Sequence, residues 1–257
     1  MGLFRPRRRD FVRVQTRTIP AVMTKDALNR FGPSILGLGD LLTEGSPVDV
    51  ICAIFDLEGF TDFAGHTDPH LALPEFFGAY LQWLFDGVRK GAIAKQKDDG
   101  VVLYYPLPFY AKFMGDGVIF LWNTSMNIDS ENNNIAFTCV KLAQSYGTDL
   151  LPRVQQLVSH APRKMRCGVA RGRVVSVGAG EDFVGPCMNL AARLQKLTPF
   201  SWAVARNGLP TFGTSYKRTA VLRAASIRGF SGRELVYLPL REFEKLTSEE
   251  SKAYPAP

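Results

Sequence analysis

The chain has 257 residues, 46% of them hydrophobic, with 18 Phe, 8 Tyr and 3 Trp, enough apolar mass for a sizeable core without disulfide or metal staples. Its net charge of +7 is unevenly placed: the arm 1–20 holds six arginines against Asp10 and carries +5 of it. No apolar run reaches the roughly 18 residues of a membrane span, and the N-terminus lacks the apolar stretch of a secretory signal, so a cytoplasmic chain with no transmembrane segment is expected.

In chain order, the basic arm reads as a solvated tail. Apolar residues between Thr24 and Leu42 predict a short helix broken at Gly32-Pro33, and together these form an N-terminal extension, 1–47. Val48 to Phe55 is apolar and β-branched and predicts a buried strand that ends at Asp56-Leu57-Glu58-Gly59. Pro74 fits the first turn of a helix whose apolar stripe, Phe76 to Val88, runs to about Ile93. Val101–Tyr105 predicts a strand. Lys112–Trp122 predicts a hairpin with Asp116 at its bend, in the triplet Gly115-Asp116-Gly117.

A second amphipathic helix is expected from Asn134 to Leu151, then two strands, Met165–Ala170 and Arg173–Val177, joined at Arg171-Gly172. A helix from Cys187 to Leu197, a strand at Trp202–Ala205, a short helix near Asn207–Gly213 and paired strands near Thr219–Ile227 and Glu234–Leu238 complete the chain. The order strand, helix, strand, strand, helix, strand is that of an α+β, ferredoxin-like βαββαβ core with extra strands. Residues 48–240 read as the main domain and 241–257 as a C-terminal tail.

Cys52, Cys139, Cys167 and Cys187 form no C-x-x-C pair and read as buried free thiols. His66 and His70 are four apart, but Pro69 lies between them and spoils a two-histidine helical metal face. Asp56 and Asp116 each follow an apolar strand segment and sit near a glycine. Paired strand-end carboxylates suit a hard divalent cation that completes its shell with water and phosphate, though alone such residues are more often ordinary turn caps. Asn189 and Arg193 are four apart on a predicted helix and so share one face.

Four fragments, Asp56-Leu57-Glu58-Gly59-Phe60-Thr61, Lys112-Phe113-Met114-Gly115-Asp116, Arg166-Cys167-Gly168-Val169 and Asp182-(six residues)-Asn189-Leu190-Ala191-Ala192-Arg193, occur in that order. Together they resemble the catalytic domain of class III nucleotide cyclases over about residues 48–240. The resemblance implies the class III cyclase fold and formation of a 3′,5′-cyclic nucleotide and pyrophosphate from a nucleoside triphosphate. It implies metal binding by Asp56, Leu57 and Asp116, with two divalent cations, Mg²⁺ or Mn²⁺. It gives Arg166 and Arg228 to the triphosphate, Lys112 and Asp182 to the base, and Asn189 and Arg193 to the ribose and transition state. Because the family divides these roles between partners and one chain carries them all, it also implies a homodimer with sites at its interface.

The segment from about Gln96 to Tyr110, rich in Tyr, Phe and Pro, is longer than the family pattern and is expected to reshape the base pocket. Lys112 donates and an ionised Asp182 accepts, a pair that suits adenine, cytosine or, with a shifted ring, uracil. The soluble build and aromatic insertion look similar to the bacterial pyrimidine cyclases of antiphage systems, which make cyclic UMP or cyclic CMP; an adenylate cyclase is the alternative. A non-catalytic nucleic-acid-binding module is the reading from a different class. The balance of only +2 outside the arm opposes an extended basic groove, and no stable nucleic-acid partner is expected.

Overall fold

The computed structural model describes residues 25, 29, 45–66, 69–96, 102–180, 182–216 and 218–257. Lys25 and Asn29 are helical; the rest of the helix expected over Thr24–Leu42, and the basic arm, lie outside the described residues. The chain divides into a smaller unit, Met1–Val48 with Val174–Gly185, and a larger one, Asp49–Arg173 with Pro186–Pro257.

The larger unit is built on strands in the order β4-β5-β1-β6-β8-β10-β9. These are β1 (Pro47–Glu58), β4 (Tyr110–Met114), β5 (Gly117–Asn123), β6 (Lys164–Val177), β8 (Trp202–Ala205), β9 (Ala220–Ser226) and β10 (Arg233–Pro239). Helices α1 (Phe60–His66) and α2 (Pro69–Lys90) follow β1, and α3 (Asp129–Ser145) joins β5 to β6. The run β1-α-β4-β5-α3-β6 with spatial order β4-β5-β1-β6 is the expected ferredoxin-like core. β6 pairs in parallel with β8, which extends the sheet through β10 and β9.

Strand parity divides the sheet cleanly. Ile51, Ala53, Phe55 and Leu57 of β1, Val118, Phe120 and Trp122 of β5, and Met165, Cys167 and Val169 of β6 join one apolar core with Phe76, Tyr80 and Leu84 of α2 and Ile135, Cys139 and Leu142 of α3. The alternate residues face the other way, toward α4 (Pro186–Leu194). Gly168 marks that contact: a Cβ there would stand 2.0 Å from the Ala191 carbonyl oxygen. Gly172 does the same work further along, since a Cβ would lie 3.0 Å from that of Cys187.

That role explains one correction. The expected break at Arg171-Gly172 is absent, and β6 is a single strand, because the glycine serves helix approach rather than a turn. Pro74 likewise lies inside α2, which begins at Pro69, rather than in its first turn. Ile93 belongs to a strand, β2 (Ile93–Gln96), paired with β3 (Val102–Tyr105) in a separate two-stranded hairpin. α3 starts earlier than its apolar stripe, because the Glu131 carboxylate accepts from the Ile128 N–H at 3.2 Å and Asn133 Nδ2 donates to Thr211 Oγ1 at 2.8 Å. It then continues as a π-helical turn, Tyr146–Leu150. The helix expected near Asn207–Gly213 is only Phe212–Ser215, preceded by a turn in which Gly208 has φ +79°.

All four cysteines are buried and free. Residues after 240 pack into the larger unit: the Glu242 carboxylate accepts from Ser201 N–H at 2.6 Å, and the Tyr254 ring lies 5.1 Å from that of Phe200. In the smaller unit, β7 (Asp182–Val184) pairs antiparallel with the end of β6, Asp182 opposite Val177.

Candidate active site

Asp56 lies near the end of β1, two residues beyond Ile54, and therefore shares the sheet face on which α4 lies. The same row carries Lys112 of β4, since Lys112 pairs with Ile119 and Ile119 with Ile54. Arg166, two residues before Gly168 in β6, is on that face too. The opposite face is filled by the apolar core, so polar side chains have only this side on which to collect.

Asp116 is placed by the tightest turn available. Met114 pairs with Gly117, leaving Gly115 and Asp116 as a two-residue loop, and Gly115 takes φ +74°, the left-handed value that the first position of such a hairpin turn requires. Gly117 is equally constrained, because a Cβ would stand 2.6 Å from the Phe55 carbonyl oxygen. The close approach brings the bend of the hairpin beside the end of β1. The expected hairpin with Asp116 at its tip is therefore present.

Arg166 Nη2 donates to Asp56 Oδ2 at 2.5 Å, and its Nη1 is 4.0 Å from Glu58. Both partners of the short pair are largely buried, their side chains 17% and 18% exposed, which makes it a charge-assisted contact shielded from solvent. Arg166 Nε is buried with no acceptor among the described residues. Burial and, next, the negative charge of Asp56 push the Asp116 carboxyl above its usual range, against the pull of its own backbone N–H, Arg166 and Lys196. Behind the pair, the Tyr80 hydroxyl is fully buried without a hydrogen-bond partner among the described residues; burial above all, with Tyr146, Cys167 and the two aspartates adding to it, raises its pKa well above the ordinary value.

Asp56 and Asp116 thus form a carboxylate pair in which burial and mutual repulsion outweigh the pull of Arg166 and Lys196 on Asp116. A hard divalent cation fits that donor set. Among the described residues no three His, Cys, Asp or Glu side chains are placed to hold one metal ion together, so a cation held by Asp56 and Asp116 would draw its remaining ligands from backbone, water and phosphate. Leu57 can contribute only through its backbone carbonyl, since its side chain lies in the core. Asp116→Asn is expected to raise the melting temperature of the metal-free protein. An acid whose folded pKa is raised binds more protons folded than unfolded, so it lowers stability as pH rises above its ordinary value of 3.8. The gain from Asp116→Asn, followed by calorimetry, should therefore shrink at acid pH.

α4 carries the two residues expected at the ribose and transition state. Cys187, Leu190, Ala191 and Leu194 are buried against the sheet, whereas Asn189 and Arg193, one turn apart, are exposed side by side. No hydrogen bond or ion pair among the described residues joins either to Asp56 or Asp116 within one chain. Arg228 is exposed in the loop between β9 and β10, where Phe230 N–H bonds the Ile227 carbonyl at 3.0 Å and Gly229 has φ +88°. Asp182 lies in the smaller unit, where its Oδ1 accepts from the Phe183 N–H at 2.9 Å. Lys196, whose charge reaches Asp116, is absent from the residues expected of the site; its one trace in the sequence is a basic residue a turn beyond Arg193.

Neither a protein-family model nor a curated protein matches the chain. Solved structures do. A guanylyl cyclase, Cya2, is similar over 77% of this chain and 94% of its own, with TM-score 0.58 and 18% identity. The adenylyl cyclase CyaB from P. aeruginosa is similar over 77% of this chain and 96% of its own, with TM-score 0.58 and 16% identity. The fold is that of class III cyclase catalytic domains. A bacterial light-regulated adenylyl cyclase shares this cyclase fold at TM-score 0.50 and 16% identity, over 82% of this chain and 57% of its own. The β2–β3 hairpin falls between α2 and β4 of the cyclase fold and exposes Val102, Leu103 and Tyr104.

Proposed function

We propose that this chain is a nucleotide cyclase that converts a nucleoside triphosphate into a 3′,5′-cyclic nucleotide and pyrophosphate. The observation that carries the reading is the acid pair Asp56 and Asp116 on the same sheet face as the helix bearing Asn189 and Arg193, within a cyclase fold. Attack of the 3′-hydroxyl on the α-phosphorus needs positioning and neutralisation of charge more than covalent help. Divalent cations, Mg²⁺ or Mn²⁺, held by Asp56, Asp116 and the Leu57 carbonyl, would lower the charge barrier to attack and to loss of pyrophosphate. Arg166 and Arg228 bind the triphosphate. Asn189 orients the ribose, and Arg193 stabilises charge on the transferring phosphorus.

The site is shared between two copies of the chain. One copy supplies Asp56, Asp116 and Arg166; the other supplies Lys112, Asp182, Asn189, Arg193 and Arg228. Supporting this, Asn189 and Arg193 are exposed and, among the described residues, form no hydrogen bond or ion pair with the acid pair of their own chain, and Met114, in the same strand as Lys112, is 47% exposed.

The substrate is a pyrimidine nucleotide, UTP first, and the product a second messenger of antiphage defence. Lys112 donates to a uracil carbonyl, Asp182 accepts from the ring N–H, and the aromatic insertion around Tyr104–Tyr110 narrows the pocket against purines. A base edge that leaves buried polar groups unpaired costs about 1–3 kcal/mol per group. Purified protein given equimolar ATP, GTP, CTP and UTP with Mg²⁺ or Mn²⁺ should yield cyclic UMP as the main product by mass. Lys112→Ala and Asp182→Ala should each flatten the preference as well as slow the reaction. Cyclic AMP as the main product would replace the pyrimidine assignment with adenylate cyclase.

A further inference from the structure

On the helical side of the larger unit, away from the acid pair, α2 and α3 enclose a cavity of about 510 Å³. Its depth has a local cause. Gly87 and Gly91 let the two helices close at its base: a Cβ at Gly87 would lie 2.2 Å from Leu142 Cδ2, and one at Gly91 2.4 Å from Thr138 Oγ1. Its walls include two rings held rigidly from behind. Trp83 packs edge-on against Tyr146 at 6.0 Å, and Phe137 stacks on Tyr216 at 4.4 Å with 6° between the planes.

Its rim is cationic. Lys90, Lys141 and Arg153 line the opening and form no ion pair among the described residues. The two carboxylates nearby are engaged: Asp86 is paired with Arg89 at 3.0 Å, and Asp149 accepts from Thr148 Oγ1 at 2.8 Å. The π-helical turn at Tyr146–Leu150 accommodates one extra residue, which rotates the succeeding turn by about 100° relative to an unbroken helix. Arg153 stands in that rotated turn and reaches the rim.

Preformed aromatic walls, a volume within the range of small-molecule sites and unpaired cations at the mouth describe a receptor for a planar, phosphorylated molecule. We propose that this cavity binds a mononucleotide, its base between Trp83 and Phe137 and its phosphate against Lys90, Lys141 and Arg153. The side-chain amides of Gln82 and Asn134 also line it; Asn134 Nδ2 is held by the Gly91 carbonyl at 2.9 Å, which leaves the Gln82 amide and Asn134 Oδ1 to meet a base edge. This site is separate from the cyclase surface and uses none of its residues.

The test is calorimetric titration of the full chain in EDTA with AMP, GMP, CMP and UMP in turn, with tryptophan fluorescence recorded in parallel. Trp122 and Trp202 are buried, 2% and 1% exposed, so quenching reports on Trp83. At least one mononucleotide should bind saturably below about 1 mM with one site per chain and quench the signal. The double variant Lys90→Glu, Lys141→Glu should weaken binding at least about tenfold, as should Arg153→Glu, with melting temperatures unchanged because all three side chains are exposed. Asp116→Asn and Asn189→Ala should bind as the wild type does, which separates this site from the catalytic one whether or not the protein cyclises nucleotides. Absence of saturable binding by all four nucleotides overturns the proposal. So does binding that survives both charge reversals, or equal displacement by inorganic phosphate, which would reduce the site to a simple anion patch.

Discussion

Asp56→Ala and Asp116→Asn should each lower cyclic nucleotide formation by about two orders of magnitude or more, since each removes a proposed metal ligand whose charge the proposed reaction needs. Their effects on stability should have opposite signs. Asp56 holds the Arg166 guanidinium at 2.5 Å in a largely buried pair, and deleting the carboxylate leaves that cation only the longer 4.0 Å contact with Glu58, at a cost of about 1–3 kcal/mol. Asp116 has its carboxyl pushed upward by burial and by Asp56, so removing its charge relieves a repulsion. Product measured by mass spectrometry and unfolding by urea, on the same two variants, would show equal loss of activity with divergent midpoints. Substantial activity in either variant would sink the metal assignment, and a shared direction of the stability change would sink the electrostatic account.

Mixing two dead proteins should restore function. If each site draws Asp116 from one copy and Asn189 from the other, heterodimers of Asp116→Asn with Asn189→Ala contain one site free of both substitutions. Random exchange then predicts about a quarter of the wild-type activity. A mixture of Asp56→Ala with Asp116→Asn should stay inactive, because every heterodimer site would lack one metal ligand. Recovery in the second mixture, or none in the first once heterodimers are demonstrated by mass, would rule out sites divided in this way.

Much of the candidate site was legible because its residues stand at strand ends and tight turns, where a glycine beside an acid leaves a local trace. Asp116 in Gly115-Asp116-Gly117 and the Asn189/Arg193 spacing on an amphipathic helix are such traces, as is the strand order of the core. Long-range packing left weaker ones. Gly172 reads as a turn residue until α4 is seen lying against it. Asn132 and Asn133 precede the helix start expected at Asn134, yet they are buried in α3, where Asn127 Nδ2 donates to Asn132 Oδ1 and Asn133 Nδ2 donates to Thr211 Oγ1. Lys196 had no strong local mark, since its charge acts on Asp116 from far along the chain. The boundaries missed in α2 and β2 share a cause: apolar periodicity continues through Ile93, and only the pairing of Ile93 with Tyr105 shows that the backbone has changed from helix to strand.

The two-residue turn between Met114 and Gly117 has a genetic corollary. A hairpin this short has no slack, and strand side chains alternate, so inserting or deleting one residue within β4 past Lys112 would reverse the side on which Lys112 emerges while displacing Asp116 from the end of β1. In the proposed shared-site dimer, each copy lends Asp116 to one site and Lys112 to the other. A single-codon indel at this point would therefore remove both contributions from each of the two equivalent sites, by two different routes, and restoring Lys112 or Asp116 alone would not complete either site. Variation in this lineage should accordingly accumulate as substitutions here and as length changes only on the far side of Tyr110, in the insertion.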